Sequence, residues 1–207
     1  MAADAKVQSA YLSALGNEVL KYLRREVGSK GILSLAKRWN CPLMWSHYGD
    51  EHRGLCIEYD LKDHVFDNLK PVNYKANWSI RVSELINWKV NRSRLAEESI
   101  LSTYFLAKAP NWKYEKEWRE VDDEPGVKPS SARVSAVYFG LRCDTAIISA
   151  IVKLHMRTEK PVKFYGVLVN ESSFQLKRKV VDFKEILSTG LKTSARLDFR
   201  DGFDSTH

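Results

Sequence analysis

Cysteine is scarce in this sequence, and the three present are poorly placed for cross-linking. Cys41, Cys56 and Cys143 are odd in number, widely spaced and without a Cys-x-x-Cys pair. This argues against a disulfide framework and points to a reducing compartment. Long apolar runs are also missing. None approaches the roughly 20 residues needed to span a bilayer, so no membrane role is expected. The first six residues, Met-Ala-Ala-Asp-Ala-Lys, lack the apolar stretch of a secretory signal, and a cytoplasmic location is expected. No Gly-rich phosphate loop, Gly-x-Ser-x-Gly elbow or His-Glu-x-x-His pair occurs, so the chemistries those patterns announce have no local support.

Aromatics with a polar handle are plentiful by contrast. Six tryptophans and nine tyrosines in 207 residues suit a core that opens onto a pocket or an interface. The length fits one domain, able to bury most of its apolar surface without staples. The formal charge of +7 invites a nucleic-acid reading. The basic residues are scattered among acids, however, and the densest run is only Lys177-Arg178-Lys179. Nucleic-acid binding is therefore the weaker reading, since recognition needs a clustered basic face.

The pattern predicts a single α+β domain over 1–190, with a mixed or mostly antiparallel sheet and flanking helices. A polar, flexible tail is expected over 191–207. Apolar residues from Val7 to Leu23 recur at helical spacing, with Gly28 as a stop signal. Strands are expected over 32–35, 55–59, 72–74, 113–121, 134–139, 162–169 and 174–181, the last two paired. Helices are expected over 82–88 and 94–108, the second closed by Pro110. A further helix begins at Asp144 or Thr145. The segment 124–131 reads as a loop from Pro125, Gly126 and Pro129.

Two constellations concentrate the reactive side chains. The first is Leu43-Met44-Trp45-Ser46-His47-Tyr48-Gly49-Asp50-Glu51-His52-Arg53-Gly54. Two histidines among carboxylates suggest a metal, yet His47 and His52 lie five apart, which matches neither a helix face nor alternate strand positions. No metal is assigned. His47 remains a candidate acid/base or orienting group. Trp45, Tyr48, Asp50 and His52 are candidate ligand contacts. The competing reading is structural: His47 and Tyr48 held by fixed hydrogen bonds under a buried Trp45. Gly54 suggests a tight turn or a close backbone approach.

The second is Trp112-Lys113-Tyr114-Glu115-Lys116-Glu117-Trp118-Arg119. As a strand it places Tyr114, Lys116 and Trp118 on one face, and Glu115, Glu117 and Arg119 on the other, with roughly 7 Å between successive residues of a face. Glu115 and Glu117 are then candidate catalytic carboxylates, and Arg119 either binds an anion or holds Glu117. The competing reading is an edge strand with a solvated charged face. Cys56, in an apolar strand, reads as core rather than nucleophile.

Together the two motifs, with Cys56-Ile57-Glu58-Tyr59-Asp60 following the first, resemble a widespread bacterial and phage family known as a domain of unknown function. The likeness runs over about 30–180. It implies an α+β fold and no settled activity. Members usually carry an earlier Asn-Asp-Pro segment that this sequence lacks, so either a shortened member or a fragment is expected. A second, weaker likeness is to ADP-ribosyltransferases, many of which carry a Glu-x-Glu pair. That likeness implies a role for Glu117 at the nicotinamide ribose, with NAD as substrate. The resulting expectation is a small enzyme or defence-associated effector acting on a nucleotide-type ligand, by transfer or hydrolysis at a glycosidic carbon. His47 and Tyr48 would face Glu117 and Arg119. The rival is a non-catalytic module that docks a host or phage protein, or a nucleic acid.

Overall fold

The computed structural model of the chain describes residues 2–62, 68–129, 132–155 and 161–182. These fall into two units, each assembled from separate stretches of sequence. Unit 1 is Met1–Leu35 with Asn68–Pro129, and unit 2 is Ala36–Asp67 with Ser130–His207. Both combine helices with sheet, so the chain is α+β. The tail expected over 191–207 lies outside the described residues. Among the described residues no helix is long and apolar enough to cross a membrane.

Unit 1 begins with α1 (Ala2–Gly28), which ends where the sequence places its glycine. Only its last turns enter the core. Leu23 and Val27 are buried, while Val7 and Tyr11 are about 70% exposed. β1 (Gly31–Ala36) follows. A two-residue β3 (Lys70–Pro71) leads to α3 (Val82–Lys89) and α4 (Arg94–Leu106). α3 opens with the Glu84 carboxylate accepting from the Arg81 backbone N–H at 3.1 Å. α4 opens on Ser93, whose hydroxyl accepts from the Ala96 N–H. Leu23, Val27, Trp88, Ile100 and Phe105 close over one another as the core.

Three expectations need correction here. The strand expected over 72–74 is displaced to Lys70–Pro71, because Asn73 turns to bridge Ala107 instead. The helix expected to reach Lys108 stops at Leu106. The Asn73 N–H bonds the Leu106 carbonyl at 2.7 Å and Lys108 N–H bonds the Asn73 carbonyl at 3.2 Å, which draws the chain into an extended form before Pro110. The strand expected over 113–121 is only its second half. Pro110–Glu115 is a 3₁₀ helix with proline in its first turn, and the strand is β4 (Glu117–Asp122). β4 is the centre of the sheet β1-β4-β3, not an edge.

Unit 2 carries the sheet β2-β5-β6-β7. β2 (Leu55–Asp60) pairs antiparallel with β5 (Arg133–Phe139), with a bulge at Glu58/Tyr59. β5 pairs parallel with β6 (Lys163–Val169), and parallel neighbours require a crossover, which α5 (Thr145–His155) supplies. Asp144 starts that helix by accepting the Ala146 N–H at 2.7 Å. β7 (Leu176–Val180) closes the sheet, antiparallel to β6 as expected. Alternation along β5 gives both faces something to bury. Val137 and Phe139 pack with Val152 and Phe164 on one side, and Ala136 and Tyr138 pack with Trp45, Val167 and Leu176 on the other. A fully buried side chain such as Phe139 contributes about 1.5–3 kcal/mol. The sequence pattern missed α2 (Pro42–Tyr48), whose seven residues are too few to show a period.

Candidate functional site

In unit 1 the second constellation is brought together, by a different geometry from the one expected. Lys116, between the 3₁₀ helix and β4, adopts the left-handed conformation (φ 47°, ψ 48°). That reversal, rather than strand alternation, turns both Glu115 and Glu117 inward. Glu115 is 1% exposed and Glu117 7%. The solvated acidic face is thus a buried one.

Buried carboxylates need partners, and these have them. Glu117 Oε1 accepts from Ser34 Oγ at 2.5 Å and Arg119 Nε at 2.7 Å, while its Oε2 accepts from Lys108 Nζ and Arg119 Nη2, both at 2.9 Å. Lys108 Nζ also donates to Glu115 Oε2. Arg119 Nη1 donates to the Phe105 carbonyl at 2.7 Å, and the Tyr74 hydroxyl accepts the Glu117 N–H at 2.9 Å. Burial pushes the Glu117 carboxyl up, but the hydrogen bonds from Arg119, Ser34 and Lys108 outweigh it and hold it at about 2. Burial works against the Lys108 ammonium as well. Its bonds to Glu115 and Glu117 outweigh that and raise its pKa. Glu115, Glu117, Lys108 and Arg119 thus bring together two anions and two cations.

Arg119 therefore takes one of its two expected roles, that of holding Glu117. Lys108, Ser34 and Tyr74 were not anticipated. Lys108 sat where a helix was expected to end, and Ser34 and Tyr74 carried no signal in short, ordinary stretches. Lys108 is 19% exposed along its side chain. It forms part of the wall of a cavity of about 380 Å³ lined by Ala76, Trp78, Ala107, Pro110 and Trp112 among others. Its Nζ lies 5.2 Å from the centre of the Trp112 ring.

In unit 2 the first constellation is a helix followed by a left-handed turn. Trp45 is buried, with its indole N–H on the Trp39 carbonyl at 2.6 Å. His47 and Tyr48 are exposed on α2, ring centres 6.2 Å apart. Asp50, Glu51 and His52 all have positive φ (47°, 49° and 69°). The Trp45 carbonyl accepts from both Gly49 and His52 N–H, which winds the turn back onto the helix. His52 is thereby stacked on Trp45, at 6.1 Å and 11° between planes. Burial, and then Arg142, lower its pKa. Asp50 and Glu51 remain exposed beside Arg53. Gly54 and Gly140 supply the close approach that the sequence suggested. The Gly140 N–H bonds the Gly54 carbonyl at 3.0 Å, and a Cβ on Gly140 would lie 2.2 Å from the His52 carbonyl oxygen. Among the described residues no group of three His, Cys, Asp or Glu side chains is placed to hold a metal.

Residues 44–120 match the model of a family described as a protein of unknown function, DUF2971. The match supports a domain-of-unknown-function family. The span takes in His47 to Gly54 in unit 2 and Lys108, Glu115, Glu117 and Arg119 in unit 1. No curated protein and no solved structure matches the chain.

Proposed function

We propose that the chain is a ligand-binding module whose pocket, in unit 1, takes the planar ring of a small nucleotide-type ligand. The observation that carries this is the placement of Lys108. Its ammonium is fixed by two buried carboxylates at the wall of a cavity that also offers two indoles. A volume of about 380 Å³ falls within the range of small-molecule sites. An ammonium has three N–H groups. Two are spent on Glu115 and Glu117, and the third has no acceptor among the described residues. Because the cluster is neutral overall, Lys108 serves as a hydrogen-bond donor more than as a free charge. It suits a carbonyl or ring nitrogen of a nucleobase, with Trp78 and Trp112 as stacking surfaces.

The same geometry weighs against Glu117 as the carboxylate of a glycosidic transfer. Each of its oxygens already accepts two hydrogen bonds, which leaves no lone pair for a ribose hydroxyl. Tryptophan fluorescence and calorimetric titration with adenosine, guanosine, AMP and NAD test the reading. Wild type should bind at least one of them. Trp78→Ala, at a position 83% exposed and safe for folding, should weaken that binding at least tenfold. Absence of binding to all four, or binding unchanged in Trp78→Ala, overturns the proposal.

A further inference from the structure

The sequence offers Arg119 as its anion-binding arginine, but Glu117 and the Phe105 carbonyl already occupy it. Arg178 of β7, in unit 2, stands in the opposite condition. It is exposed, and among the described residues no carboxylate pairs with it directly. Its guanidinium is nevertheless fixed. The central carbon lies 4.3 Å from the Tyr165 ring centre and 5.6 Å from those of Trp39 and Tyr138. These rings are themselves a stack, Trp39 on Tyr138 at 4.9 Å and Tyr138 on Tyr165 at 5.1 Å.

The hydrogen bonding around Tyr138 has a direction. Its side chain is fully buried, and its hydroxyl donates to Glu58 Oε2 at 2.6 Å. Burial, and then Glu58, raise the pKa of the phenol well above its ordinary value, so it keeps its proton. The oxygen is left to accept from Arg178 Nη1 at 2.5 Å. Glu58 is in turn tied by Ser135 Oγ at 2.8 Å. The nearest carboxylate thus reaches Arg178 only through a hydroxyl, and fixes the arginine without neutralising it by contact. One of the five guanidinium N–H groups is used, and the others have no acceptor among the described residues.

We propose that Arg178, held on the Trp39–Tyr138–Tyr165 stack, is the centre of a phosphoryl-binding site on β7 of unit 2. A planar guanidinium with an open donor edge matches two oxygens of a phosphate, and its rigidity spares the entropy of ordering a long side chain on binding. The phosphoryl group can belong to a mononucleotide or to a single strand of nucleic acid.

The test is a titration of the full chain, labelled with ¹⁵N, followed at the arginine Nε–H signals. The ligands are inorganic phosphate, AMP and a twelve-nucleotide single-stranded DNA, with sodium chloride as control. The Arg178 signal should move with phosphate-bearing ligands and not with chloride at equal ionic strength. Arg178→Lys, which keeps the charge and loses the fork, should weaken binding at least tenfold, and Tyr138→Phe should weaken it several-fold with the stack retained. Equal response to phosphate and AMP identifies a free phosphoryl ligand. Response to the DNA alone, with affinity that falls on adding salt, identifies a strand. No shift at Arg178 with any of the three, or a shift matched by chloride, overturns the proposal. So does unchanged binding by a folded Arg178→Lys protein.

Discussion

Arg119 grips Glu117 with a two-pronged hydrogen bond, Nε to Oε1 at 2.7 Å and Nη2 to Oε2 at 2.9 Å. Both side chains are largely buried, at 17% and 8% exposure. Removing one member of such a pair strands the other charge, at a cost of about 3–5 kcal/mol. Arg119→Met should therefore lower stability by that amount in urea unfolding. Arg119→Lys should fall between it and wild type, because an ammonium cannot reproduce the fork. A loss below about 1 kcal/mol for Arg119→Met would place the pair among ordinary surface bridges.

Lys116 is exposed and left-handed, where a lysine carries a steric cost of about 1–2 kcal/mol that glycine avoids. Lys116→Gly should leave the protein unchanged or raise its stability by about 0.5–1 kcal/mol, and Lys116→Val should lower it by more than 1 kcal/mol. In a continuous strand the order reverses, since valine favours strands and glycine weakens them. Thermal melts of the two variants decide between the geometries.

The fate of this segment explains what the sequence could reveal. The long elements were readable because their apolar residues repeat, as in α1, α4, β5 and β6. Residues 112–119 alternate charge and aromaticity just as a strand would. Nothing local announces that Lys116 reverses the chain, because the reversal is sustained by Lys108, Ser34 and Tyr74 from distant positions. Glu115, Glu117 and Arg119 were identifiable as a group from their clustering. Their burial was not, since it depends on α4 ending early and delivering Lys108 between the two carboxylates. In unit 2, Arg178 was visible only as part of a short basic run. Its importance comes from rings on three other segments.

Gly140 sits against the backbone of the left-handed turn, with room for no side chain. Gly140→Ala forces apart the Arg142–His52 and Gly140–Gly54 backbone bonds, 2.9 and 3.0 Å long. The variant should lose about 3 kcal/mol or fail to accumulate as folded protein. A melting temperature within 2 °C of wild type, by the usual scaling of about 2–4 °C per kcal/mol, would contradict this packing.

His52 should titrate below the ordinary value of 6.5, since burial and then Arg142 oppose its charged form. A lowered folded-state pKa means that the unfolded chain takes up the proton first. The stability contributed by neutral His52 is complete above about pH 6.5 and is lost as pH falls through the folded value. Histidine ring proton shifts followed from pH 8 to 4 give the midpoint. One at or above 6.5 contradicts the stacked, half-buried placement on Trp45.

Glu117 is an ionised, fully bonded carboxylate that fixes Lys108 at the pocket wall. The depressed pKa also predicts stability. Relative to an unfolded value of 4.5, a folded value of about 2 contributes about 3 kcal/mol, complete above pH 4.5 and lost as pH falls through 2. The most direct measurement is a ¹³C titration of the Glu117 carboxyl, assigned by comparison with Glu117→Gln. A midpoint near 2, or no protonation before acid unfolding, is the predicted result. A midpoint at or above 4.5 would contradict it.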